Sequence, residues 1–148
     1  MTQVELRVPV AVPAETTWAA LTDWPRQGEW MLGTSVKVTA GDGRGVGSTL
    51  AAFTGAGPLG FTDTMRITDW EPPTRCVVLH TGKVVCGTGE FVVNPVTDRS
   101  SELVWLERLD LPLGVVGRLG WPLVRPAFTW GVRRSLAKFA LFAEGYGR

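Results

Sequence analysis

The chain has 148 residues, of which 45% are hydrophobic and 20% charged, and its formal net charge is +1. That length fits one domain able to bury its own core, and that composition excludes a disordered chain. The near-neutral balance leaves no broad electrostatic footprint for nucleic acid or an anionic membrane, and no uninterrupted apolar run reaches the roughly 18 residues of a spanning helix.

Alternation opens the chain. Val4, Leu6, Val8 and Val10 interleave with Gln3, Glu5, Arg7 and Pro9, the period of a half-buried strand. Pro9 suits an edge or a position whose donor is not needed. From Pro13 to Trp24 the spacing turns helical: Trp18 and Leu21 lie three apart, with Ala14 one turn earlier, and Glu15 stands where a carboxylate complements the helix dipole. Pro25 ends that helix, and Pro25 to Met31, carrying Trp30, reads as a second short one. Six strands follow, at 35–40, 47–54, 61–70, 75–81, 84–93 and 102–111. Turn chemistry separates them: Gly41-Asp42-Gly43, Gly55 to Gly60, Pro72-Pro73, Gly82-Lys83 and Asn94 to Ser101. Hairpins this short make the sheet antiparallel. Leu113 to Trp121 reads as a loop with a helical turn, and Pro122 and Pro126 are expected to break or kink any helix through them. From Pro126, a suitable first-turn residue, Phe128, Val132, Ser135, Phe139 and Phe142 recur at helical spacing. Arg133, Arg134 and Lys138 fall mostly on other faces, a solvated side, and Gly145 and Gly147 end the helix.

The order of elements, with three local sequences, resembles the polyketide cyclase/dehydrase and lipid-transport group of the START-like (SRPBCC) superfamily. The first stretch runs from Val8-Pro9-Val10-Ala11-Val12-Pro13 to Trp18, followed by Thr22-Asp23-Trp24-Pro25 and Glu29-Trp30-Met31. The second is Ile67-Thr68-Asp69-Trp70-Glu71-Pro72-Pro73-Thr74-Arg75. The third is Leu111-Pro112-Leu113-Gly114 leading into Phe128 to Phe142. The resemblance implies a single α+β domain over 1–148 with the helix-grip fold. That is a curved seven-stranded antiparallel sheet wrapped around a long C-terminal helix, with two short helices after the first strand and an apolar pocket between sheet and helix. It brings no catalytic motif, because the superfamily includes transfer proteins, cyclases, hydrolases and plain binders.

A two-residue turn at Gly82-Lys83 would pair Thr81 with Val84, His80 with Val85, Val78 with Gly87 and Cys76 with Gly89. If Phe91 then faces Trp105, Gly89 faces Glu107 and Gly87 faces Leu109. One face holds Cys76, Val78, His80, Val85, Phe91, Val93, Leu103, Trp105, Glu107 and Leu109, and the other Thr81, Thr88, Glu90, Arg108 and Asp110. Val77, Leu79, Val84, Val92, Val104 and Leu106 then point outward, so either the register slips by one or the convex face is covered, for instance by another subunit. Gly87 and Gly89 suit sheet curvature, clearance for a ligand, or both. The expected pocket lining is Val78, His80, Val85, Gly87, Gly89, Phe91, Trp105, Glu107 and Leu109 from the sheet, with Phe128, Val132, Ser135 and Phe139 from the helix.

His80 is the single histidine. With an ordinary pKa near ~6.5 it can move protons at neutrality, and Glu107 on the same face makes a pair suited to enolisation or dehydration. The competing reading is a partly buried histidine that only hydrogen-bonds. Glu107 needs a partner, such as Arg66, a ligand hydroxyl or water. Asp63 and Arg66 face opposite sides of one strand, so at most one reaches a pocket, and surface ion pairing is the default. Trp105 and Trp130 are candidates to line a cavity, whereas Trp18, Trp24, Trp30 and Trp70 suit the core. A serine triad lacks its Gly-x-Ser-x-Gly elbow. One histidine and two separated cysteines, Cys76 and Cys86, give no metal site and no disulfide framework, so free thiols in a cytoplasmic protein are expected. Met1 to Glu5 carries no signal-peptide pattern. The expected function is binding of a small hydrophobic molecule (a lipid, polyketide or aromatic metabolite) with no cofactor, no nucleic acid and no integral membrane association. The alternatives are an aromatase/cyclase-like enzyme using His80, and a homodimeric interaction module with a filled cavity.

Overall fold

The structure is a computed structural model that describes residues 2–56, 58–83, 85–110 and 115–146. Strand β1 (Thr2–Val10) leads into helix α1 (Ala14–Leu21) and a 3-10 turn (Trp24–Glu29). Strands β2 (Thr34–Ala40), β3 (Thr49–Ala56), β4 (Leu59–Glu71), β5 (Arg75–Thr81), β6 (Cys86–Thr97) and β7 (Ser100–Asp110) follow, and helix α2 (Val115–Glu144) comes last. The strands form one antiparallel sheet in the order β1-β7-β6-β5-β4-β3-β2. The later strands stand close to where the turn chemistry places them, except that the expected Asn94 to Ser101 turn contracts to Asp98-Arg99, with Asn94 and Pro95 inside β6 opposite Glu102 and Ser101.

The β6–β7 register is the expected one, with Phe91 opposite Trp105, Gly89 opposite Glu107 and Gly87 opposite Leu109. The β5–β6 register differs: His80 pairs with Gly87, Val78 with Gly89, Cys76 with Phe91 and Thr81 with Cys86. The connection therefore spans residues 82–85 rather than two, and Val84, the expected partner of Thr81, lies outside the described residues. A tight two-residue turn wants positive φ at its centre, which a lysine resists. Here the Cys86 thiol closes a wider loop, 3.4 Å from the Gly82 carbonyl and 3.6 Å from that of Lys83. Because the slip is two residues, every side chain keeps its face.

The convex face carries ion pairs of its own. The Arg75 guanidinium reaches Glu90 at 2.7 Å and Asp69 and Glu71 at 2.9 Å each, and Arg7 reaches Glu102 at 3.2 Å. On the same face Val77, Leu79, Val92 and Leu106 are half-buried and Val104 is buried.

The core lies between the concave face and the two helices. Val4, Leu6 and Val10 of β1, Leu50 of β3, Ile67 of β4 and Leu103 of β7 pack against Trp18, Leu21 and Trp24 on one side and Leu136, Phe139 and Ala143 on the other. Trp18 meets Trp70 edge-on at 5.1 Å, and Trp30 meets Phe139 at 4.9 Å. Thr17 and Ser101 tie α1 to β7 by a 2.6 Å hydroxyl–hydroxyl bond, and Ser101 donates onward to the Val12 carbonyl.

Helix α2 departs from expectation. It does not begin at Pro126 but runs from Val115 through both Pro122 and Pro126. Each proline removes one donor, leaving the carbonyls of Arg118 and Pro122 without their helical partner. Both prolines are exposed, in a stretch where Leu123 is 84% and Leu119 73% exposed, so water can take those acceptors. The C-terminal half behaves as the spacing requires: Val132, Ser135, Leu136, Phe139 and Ala143 are buried, while Arg133, Arg134 and Lys138 are exposed. Leu111 to Gly114, the start of the third resembling stretch, and the expected helix end at Gly147 lie outside the described residues.

Candidate functional site

The sheet and α2 do not close on each other completely. A cavity of about 430 Å³ remains between them. Of the expected lining, Val78, His80, Val85, Phe91, Trp105, Glu107 and Leu109 reach it from the sheet, and Phe128, Val132 and Ser135 from α2. Three expected residues do not. Phe139 is fully buried one turn further along, against Trp30. Gly87 has a φ of +115°, and a Cβ there would collide with the Arg108 carbonyl, so this glycine serves the backbone path of β6. At Gly89 a Cβ would come within 2.9 Å of Glu107 Oε1 and 3.2 Å of Val78 Cγ2. The missing side chain thus makes room for the Glu107 carboxylate rather than for a ligand. Trp130, 62% exposed, lies outside the cavity under the Arg134 guanidinium.

Residues that the spacing of β5–β7 alone does not place complete the wall. Gln27, Met31 and Leu32 come from the segment after α1, Thr34, Ala52 and Thr54 from β2 and β3, Phe61, Asp63 and Met65 from β4, and Ala127 and Gly131 from α2. The available signal was parity: Phe61, Asp63 and Met65 alternate on one face of β4, and Met65 pairs with His80.

The polar centre of the cavity is a three-residue cluster. His80 Nδ1 lies 2.9 Å from Asp63 Oδ1, and His80 Nε2 lies 3.0 Å from Glu107 Oε2. The indole N–H of Trp105 donates to Glu107 Oε1 at 2.9 Å. The side chains are nearly enclosed, with 4% of His80, 15% of Asp63 and 11% of Glu107 exposed. Burial by itself would pull the imidazole pKa down. The hydrogen bonds to Asp63 and Glu107, and the charges of those two carboxylates, outweigh it and push the pKa up to about 10. At neutral pH His80 is therefore an imidazolium donating through both ring nitrogens. The arrangement narrows the expected acid-or-base role of His80 to that of an acid at neutrality. It also overturns two pairings. Glu107 is bound by His80 and Trp105, not Arg66, which is exposed on the other face, and Asp63 turns inward rather than pairing at the surface.

Cys76 and Cys86 are free thiols, and burial pushes that of Cys76 up to about 12. Among the described residues no group of three histidine, cysteine or acidic side chains stands ready to hold a metal ion, and no helix is long and apolar enough to cross a membrane.

A curved antiparallel sheet gripping a C-terminal helix, with a cavity between them, defines a helix-grip protein of the START-like (SRPBCC) class. The chain belongs to the polyketide cyclase/dehydrase and lipid transport family, whose model matches residues 1–144. Its fold is shared by the Thermus thermophilus protein TTHA0849, with a TM-score of 0.83 at 15% identity over 99% of this chain and 100% of that one. The Zhui aromatase/cyclase of a Streptomyces species matches with a TM-score of 0.70 at 20% identity, over 97% and 92% of the two chains. A START superfamily protein of Mycobacterium smegmatis gives 0.70 at 18% identity, over 97% and 94%. At such identities the likeness establishes the fold alone. No curated protein matches the sequence significantly.

Proposed function

We propose that this chain, read as one domain over residues 1–148, binds a small hydrophobic molecule of lipid, polyketide or aromatic-metabolite type between its sheet and α2. The observation that carries this reading is the cavity itself. Its 430 Å³ falls within the roughly 300–1,000 Å³ of small-molecule sites. Phe61, Phe91, Trp105 and Phe128 offer flat apolar faces, and Met31, Met65, Val78 and Val132 fill the gaps between them. Burial of a guest's apolar surface would supply about 25 cal/mol per Å² before the costs of association. The Asp63–His80–Glu107 cluster would orient the polar end of the guest. The reading calls for no cofactor and suits a cytoplasmic binder.

Native mass spectrometry of freshly purified protein is the test. The expected spectrum contains a species heavier than the bare chain by the mass of a small organic molecule, lost on mild activation. Repeated spectra of bare protein alone, with no uptake of added apolar compounds, would defeat the reading.

The cluster favours a second reading, an aromatase/cyclase-like enzyme. In it the proton acceptor is Asp63 or Glu107, because His80 is already protonated, and the cavity walls fold the substrate. Turnover that falls in Asp63→Asn or Glu107→Gln, with binding of the same molecule retained, marks the enzyme. Equal loss of both would not support a catalytic role for the two carboxylates, and no turnover in the parent chain leaves the binder. The third reading, a dimeric module with a filled cavity, is disfavoured by the open space between sheet and α2, and a dimer alone would find exposed Leu119, Leu123 and Trp130 on α2 rather than the half-buried apolar residues of the convex face.

A further inference from the structure

We propose that the cavity selects its guest by charge, accepting an apolar aryl or alkyl body that carries a protonated amine and refusing the corresponding carboxylate. The proposal rests on the cavity-binding reading above and specifies the ligand class. Three observations carry it.

The first is the charge of the cluster. Two carboxyl groups, Asp63 and Glu107, flank a single imidazole at 2.9 and 3.0 Å, so acidic side chains outnumber basic ones on this wall. No lysine or arginine is among the described lining residues to balance them. Arg125 and Arg133 instead line a separate, open hollow on the far side of α2, with Pro122, Pro126, Thr129 and Trp130.

The second is the direction of the hydrogen bonds. Both His80 nitrogens are spent on the carboxylates and the Trp105 N–H is spent on Glu107, so the cluster has no donor left for a guest. It has acceptors to spare. An ionised carboxylate offers about four lone-pair sites. Asp63 uses one of its oxygens, and its Oδ2 receives no hydrogen bond from the described residues. A guest must therefore donate to this end of the cavity.

The third is the aromatic setting. The Phe91 and Trp105 rings stand 5.8 Å apart beside the cluster, and both line the cavity. Their faces attract a cation that has lost part of its water. An anion in the same place would be stripped of water beside two carboxyl groups, with no lysine or arginine among the described lining residues to receive it.

The test is a matched series on the intact chain: 2-(2-naphthyl)ethylamine, 2-(2-naphthyl)ethanol and 2-naphthylacetate, titrated calorimetrically at pH 7. The amine should bind about tenfold or more tighter than the alcohol, the gain of one charge-assisted hydrogen bond, and the carboxylate weakest of all. In Asp63→Asn and in Glu107→Gln both donors should weaken, the amine much more than the alcohol, so that the amine's advantage shrinks toward parity. If the alcohol and the carboxylate bind as tightly as the amine, the charge selection is wrong while the cavity reading stands. If none of the three binds while a neutral apolar dye still enters the cavity, this proposal alone fails; if the dye is refused as well, the cavity reading fails with it.

Discussion

His80→Ala is expected to cost the fold about 3–5 kcal/mol, the loss that follows when one partner of a buried ion pair is removed. The substitution leaves Asp63 and Glu107 facing each other across an enclosed space with no cation between them. Urea denaturation at pH 7 reads the difference directly. A loss below about 1 kcal/mol, the value of an exposed ion pair, would mean that water rather than the imidazolium serves the two carboxylates. The same cluster sets a pH signature. The folded chain keeps the His80 proton to about pH 10, whereas an unfolded histidine releases it near ~6.5. Between those values the folded state holds more protons. The stabilisation is thus complete below ~6.5, falls as pH rises, and is gone above about 10. The buried Cys76 thiol, raised to about 12, adds a slope of the same sign from its unfolded value upward. The difference between the parent and His80→Ala therefore isolates the histidine. That difference should shrink steadily across the window, and a constant difference would remove His80 as its source.

Phe139→Ala is expected to destabilise by about 3–5 kcal/mol, the cost of emptying a phenyl ring from a packed core. Phe139 has no exposed surface, and its ring stands at 69° to that of Trp30, which is equally buried. The cavity would open beside the indole of Trp30, whose N–H already lacks a partner, so collapse of the neighbours offers little relief. Leu141→Ala is the control. Leu141 sits two residues along the same helix at 70% exposure, and its loss should stay within about 0.5 kcal/mol. Thermal or chemical denaturation of the pair separates the faces of α2. Comparable effects would mean that the helix is rotated from the orientation described.

Much of this molecule was legible in the amino-acid order because its signals are local. Strand alternation, turn residues and the Phe128–Phe142 spacing are each read within a few residues, and the family resemblance supplied how the pieces join. The facing pairs of β6 and β7 followed from one anchor, Phe91 against Trp105. The β5–β6 slip did no harm to the faces because it was even. What stayed hidden depended on distant parts of the chain. Asp63 reaches His80 through a neighbouring strand 17 residues away, and only the β4–β5 register with its bulge between Ile67 and Asp69 fixes that meeting. The protonation of His80 rests on two carboxylates, and the second, Asp63, comes from a strand whose register the turn did not set. Helix α2 was cut short because proline is judged by its local cost, whereas exposure of the segment around Pro122 lowers that cost.

The cavity can be tested most directly by filling it. Nile red, a neutral apolar dye, should bind the parent chain saturably at one site with a blue-shifted emission. Ala52→Phe, which projects a ring from β3 into the space, should abolish that signal in a chain whose circular dichroism still reads as folded. Dye binding that is absent from the parent, or unchanged in the folded Ala52→Phe variant, would place any guest elsewhere and contradict a ligand chamber between sheet and helix.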